Sequence, residues 1–131
     1  MEQNKKTRAL LAAFGCALAY LLAGKALTAV LPQVPEEAAR MWAFVHRCAA
    51  APIVEELVFR GIIQQLARPL GERQAVALQA VLFAVQHRGP AGMAYALVCG
   101  LALGALRERT GKVWLGTLLH TLNNLLVFAA G

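Results

Sequence analysis

Apolar residues run along this chain in about five long stretches, separated by short polar or turn-forming segments. The first stretch extends from about Ala9 to Leu31 and ends at Pro32. It exceeds the roughly 20 residues a helix needs to cross a bilayer. Residues Gln33 to Arg40, with Glu36 and Glu37, read as a polar connection. The second stretch, Met41 to Leu66, carries Glu55, Glu56 and Arg60 in its interior. The sequence RPLGER, Arg68 to Arg73, predicts a turn. The third stretch, Gln74 to His87, stops at Gly89-Pro90, and the fourth covers Ala91 to Leu106. A basic loop, Arg107 to Lys112, leads into the fifth, Val113 to Ala130. The third and fourth are shorter than a full span, so tilt or shelter by neighbours is expected of them.

The pattern predicts an all-α, polytopic transmembrane helical bundle of about five membrane segments. The 131 residues make one domain, with an anchor helix over about 9–31 and a motif-bearing core over about 41–130. Lys5, Lys6 and Arg8 before an apolar run also resemble a signal peptide. The run continues past Lys25 and the rest of the chain is equally apolar, which favours a retained anchor.

Composition strengthens the membrane reading. Hydrophobic residues make up 59% of the chain and charged residues 15%, against about 25% charged in soluble domains. The net charge of +6 does not describe a nucleic-acid surface. The basic residues fall between apolar runs, at Lys5, Lys6 and Arg8, at Arg68 and Arg73, and at Arg107, Arg109 and Lys112. By the positive-inside rule these groups are cytosolic, with the N-terminus inside. Cys16, Cys48 and Cys99 are scattered and form no disulfide framework. Ala96, Gly100 and Gly104 recur every four residues, which predicts close helix approach within the chain; the oligomeric state stays open.

Ionisable groups inside a membrane segment cost at least about 2.5 kcal/mol and mark functional sites. Glu56 and Arg60 are four apart, so they share a helix face and can pair. Glu55 is turned by about 100° from Glu56 and is left as a free carboxylate. Pro52 either kinks this helix or opens a new one. His87 follows Phe83 by four residues; His120 precedes Asn124 by four and Asn123 by three. At 1.5 Å per residue, Glu55, His87, His120 and Asn124 lie about 16, 20, 10 and 16 Å from the cytosolic ends of their segments. His46 sits on the opposite side of the helix from Glu55 and reads as an interfacial residue.

A carboxylate and an imidazole converging on water make a general-base pair, and a second His with an Asn can supply donors to an oxyanion. The chain contains no Ser, and no Cys adjoins these histidines, so a covalent nucleophile is not indicated. Glu55, His87 and His120 could instead ligate Zn²⁺. The HExxH spacing is absent, which favours water activation without a cofactor.

The sequence APIVEELVFRG, Ala51 to Gly61, resembles the EExxxR motif of the CAAX prenyl endopeptidase-like family, also called the CPBP or bacterial abortive-infection family. FAVQH, Phe83 to His87, is similar to its FxxxH motif, and HTLNN, His120 to Asn124, to its HxxxN motif. The resemblance implies an intramembrane endopeptidase. It implies that Glu55 and His87 activate water, that His120 and Asn124 hold the oxyanion, and that Glu56 and Arg60 support the site. Glutamate-type and zinc mechanisms are both inherited from it. The expected substrate is a membrane-associated peptide or protein, with lipidation left open. The alternative is a non-catalytic membrane scaffold or bacteriocin self-immunity protein, and a proton pathway through the buried Glu and His is a weaker third reading.

Overall fold

The computed structural model describes residues 1–30 and 35–131. The expected end of the first segment at Leu31 and Pro32, and the start of the connection at Gln33, lie outside the described residues. Among those residues the chain is all-α, without a strand. Helix α1 spans Glu2–Val30. The second helical rod, α2, covers residues 36–66, followed by a single tight turn at Arg68–Leu70. Helices α3 (Glu72–Ala84), α4 (Gly89–Thr110) and α5 (Val113–Ala129) complete the bundle.

Several boundaries differ from the sequence pattern. Helix α2 begins at Glu36, so residues expected in a polar connection are helical; Glu36 and Glu37 in its first turn meet the positive end of the helix dipole. Helix α3 ends at Ala84, which leaves His87 on the turn that follows. Helix α4 takes in Gly89-Pro90 at its start and most of the predicted basic loop at its end. Proline is tolerated in a first turn, where its missing N–H has no partner to lose. Arg107 and Arg109 favour the negative end of the dipole. The helix stops at Gly111, whose φ of 70° is the left-handed conformation that ends helices.

Helices α1 and α4 are long and apolar enough to cross a membrane, and α5 is a shorter apolar helix. Much of their large apolar surface faces outward: Leu11 is 69% exposed, Val98 67% and Leu126 65%. Water does not tolerate a continuous apolar coat of this kind, whereas lipid does. The inward faces carry small or polar groups. Ala9, Ala13 and Ala17 line the buried face of α1. Ala96, Gly100 and Gly104 line that of α4, packed on α3: a Cβ at Gly100 would meet Cα and Cβ of Ala80 at 3.0 Å. Gln79 Nε2 donates to the Gly100 carbonyl at 2.8 Å, and Gln64 Nε2 to that of Gly104 at 3.0 Å. Phe59, Ile63, Leu82 and Phe83 fill the centre.

Candidate active site

Helix α2 carries a stripe of buried groups at every fourth residue, Cys48, Pro52, Glu56, Arg60 and Gln64, with Phe59 and Ile63 buried beside it. At 3.6 residues per turn such a stripe would drift round the helix. It stays on one side because two stretches are wound as π-helix, His46–Ala50 and Leu57–Ile63, on either side of an α-helical Ala51–Glu56. The wider turns also accommodate Pro52, so the rod runs on through the proline rather than opening a separate helix there. Each junction keeps right-handed helical dihedrals. In the first π-turn, Ala51 N–H donates to the His46 carbonyl. The next donor in that register would be residue 52, and proline has none. The orphaned Arg47 carbonyl is met from α5 instead, by Asn124 Nδ2 at 2.8 Å.

Glu56 and Arg60 form the expected pair, with Nη1 to Oε1 at 3.1 Å and both side chains fully buried. The pair is held by charge proximity rather than by aligned hydrogen bonds, since the guanidinium nitrogens and Glu56 Oε2 have no hydrogen-bond partner. The guanidinium lies over the Phe83 ring, 4.5 Å from its centroid, a cation–π contact that partly replaces lost hydration. Glu56 Oε1 also accepts a hydrogen bond from His120 Nδ1 at 2.9 Å. A carboxylate oxygen only accepts, so His120 carries a proton on Nδ1. Its other nitrogen, Nε2, lies 3.6 Å from Glu55 Oε2.

Glu55 is outside the Glu56–Arg60 pair and its side chain is 19% exposed, which leaves it accessible to a water molecule. His87, His120, Arg60 and Glu56 are all within Coulombic range of it. His87 Nδ1 donates to the Phe83 carbonyl at 3.0 Å. A carbonyl oxygen also only accepts, so the unprotonated nitrogen of a neutral His87 is Nε2. The Phe83 ring touches both imidazoles edge-on, with centroids 4.7 Å from His87 and 5.8 Å from His120. Three separate parts of the chain thus bring Arg60, His87 and His120 around one aromatic ring. Asn123 borders a cavity of about 80 Å³ together with His120, Cys99, Leu103 and Leu119. Asn123 accepts from the Tyr95 hydroxyl at 2.5 Å and donates to Asn124 Oδ1 at 3.3 Å. His46 is exposed.

The Type II CAAX prenyl endopeptidase Rce1-like family model matches residues 37–126. The chain belongs to this family. The Rce1-like match takes in Glu55, Glu56, Arg60, His87, His120 and Asn124, and leaves all of α1 outside. The Rce1-like family consists of membrane-embedded proteases. No curated protein and no solved structure matches the chain significantly.

Two Rce1-like site neighbours carry no motif signature. Gly116 lies one helical turn before His120, and a Cβ there would come within 2.7 Å of Glu56 Oε2. Its four-residue offset from His120 is the one sequence clue to it. Tyr20, on α1, packs edge-on against Phe59 with ring centroids 5.4 Å apart. A single tyrosine in an apolar anchor gives no such clue. As for a metal, no three His, Cys, Asp or Glu side chains among the described residues are grouped to hold an ion. His120 Nδ1 is engaged by Glu56 and His87 Nδ1 by Phe83. These contacts leave Nε2 of both imidazoles free, the nitrogen that a metal-bound histidine uses when its Nδ1–H is held by a carboxylate or carbonyl, and no step below runs through a metal.

Proposed function

We propose that this protein is an intramembrane endopeptidase that hydrolyses a peptide bond of a membrane-associated peptide or protein with a water activated by Glu55 and His87. One observation carries this reading. Of two adjacent glutamates, Glu56 is consumed by Arg60 and His120, while Glu55 is left accessible with both histidines in range.

Glu55 or His87 Nε2 takes a proton from water as its oxygen attacks the scissile carbonyl carbon. The carbonyl oxygen becomes an oxyanion, held by His120 and Asn124. His120 Nδ1–H is committed to Glu56, so a proton on Nε2 makes it an imidazolium between two carboxylates. Asn124 gives one amide proton to Arg47 and has a second for the oxyanion. Collapse breaks the C–N bond, and the proton returns to the departing amine. Glu56 and Arg60 hold His120 in place. In this reading about five helical segments lie in the inner membrane of a bacterial cell with the N-terminus cytosolic, and the substrate is lipidated or unmodified.

The test uses purified protein in liposomes with a library of quenched fluorogenic membrane peptides, some carrying a prenylated cysteine. Cleavage by wild type is expected to fall by about 10²-fold or more in Glu55→Gln, with folding retained and no effect of a chelator. Unchanged cleavage by Glu55→Gln overturns the proposal; chelator sensitivity redirects it to zinc. A second reading, a non-catalytic scaffold or self-immunity protein, is favoured by the structural use made of His120 and Asn124. It expects protection of cells to survive Glu55→Gln.

A further inference from the structure

Tyr20 occupies a position where a purely structural residue has no use for a hydroxyl. Ala9, Ala13 and Ala17 form the buried face of α1, and small side chains there let its backbone approach the bundle. Tyr20 is the next residue along that face, half-buried and packed against the central cluster. Its ring meets Phe59 at 5.4 Å, an arrangement phenylalanine would make equally well. The Gln86 amide donates to the Ala17 carbonyl at 3.4 Å, which ties α1 to the turn bearing His87. Registry is thereby fixed at two points, on α2 and on that turn. Glu55 precedes Phe59 by one turn of α2 and so lies on the side of the rod that Tyr20 covers, which brings the phenol toward the Glu55 carboxylate.

We infer that Tyr20 is a positioning residue of the candidate active site, its hydroxyl donating to the Glu55 carboxylate and turning that group toward water and His120. A carboxylate on a helix rotates about several bonds, and a donor on one oxygen removes that freedom while leaving the other oxygen to act as base. Tyrosine keeps its proton near neutral pH, its ordinary value being about 10, so it donates and does not compete as a base. The inference concerns a helix wholly outside the family match. It rests on the reading of Glu55 as the water-activating group.

Infrared difference spectroscopy tests it on the whole protein in liposomes, without a substrate. The Glu55 carboxyl band is isolated as wild type minus Glu55→Gln, and again as Tyr20→Phe minus the double variant. Tyr20→Phe is expected to shift that band. Difluorotyrosine at position 20, isosteric and a stronger donor, is expected to shift it in the opposite sense. On a fluorogenic peptide with a prenylated cysteine, Tyr20→Phe is expected to lower kcat about tenfold with KM unchanged, the scale of one hydrogen bond to a charged group. A band that stays in place in both variants overturns the inference, whatever Glu55→Gln does. A shifted band with full cleavage by Glu55→Gln keeps the contact, but overturns both its catalytic purpose and the proposed function.

Discussion

The α3–α4 seam and the α2–α5 seam bury polar groups by opposite means. Between α3 and α4, and where Gln64 of α2 meets α4, the buried polar side chains are neutral amides. Gln79 and Gln64 give their N–H groups to the carbonyls of Gly100 and Gly104. Only their amide oxygens lack a partner. Glycine is needed there because a Cβ at Gly104 would collide with the Gln79 amide, and one at Gly100 would press on the Ala80 backbone. Between α2 and α5 the buried groups are ions, and the Arg60 guanidinium has no aligned hydrogen bond. Arranging a membrane seam for stability alone would favour the first solution, because an imperfectly satisfied buried ion is a standing cost. The second makes sense where charge is needed to hold reacting groups.

The contrast can be broken by substitution. Arg60→Ala leaves Glu56 buried without its cation, held by His120 alone, and is expected to lower unfolding free energy by about 3–5 kcal/mol, read by denaturation in detergent micelles. If the loss is below 1 kcal/mol, the buried pair is not what holds this seam. Gly100→Ala is expected to cost about 1–3 kcal/mol in the same assay, because its new methyl meets backbone that cannot move aside. Gly116→Ala sharpens the comparison. It should destabilise by a similar amount, but it presses on Glu56 and should therefore also reduce cleavage, an effect Gly100→Ala should lack. Asn124→Ala removes the donor to the Arg47 carbonyl and is expected to cost about 1 kcal/mol. Faster hydrogen exchange through His46–Ala50 would report that loss. The smallest effect is expected at Arg68, paired with Glu108 at the bundle's edge with its side chain 48% exposed. Arg68→Ala should change stability by no more than about 1 kcal/mol, and less in high salt.

Much of the helical frame was legible before any coordinates. Apolar length marked the rods, and the spacing of Glu56 and Arg60 gave their pairing. The Ala96–Gly100–Gly104 repeat announced a close contact inside the chain. Boundaries were less legible, because Pro90 and the charged run Arg107–Thr110 look like loop to a hydrophobic scale and yet suit the two ends of a helix. Pro52 was seen as special, but the remedy was not: a π-turn on its N-terminal side and an Asn from a helix over 70 residues away.

The sequence alone determined which residue types enter the apolar interior and at what spacing along each rod, because helix periodicity and the cost of burying charge act locally. Which nitrogen of His120 faces which glutamate, that Phe83 lies beneath Arg60 and beside both histidines, and that Tyr20 packs on Phe59 were decided by tertiary structure. Those relations depend on the rotation and depth of one helix against another. Close packing of side chains from distant segments sets both, and a one-dimensional pattern carries no measure of either.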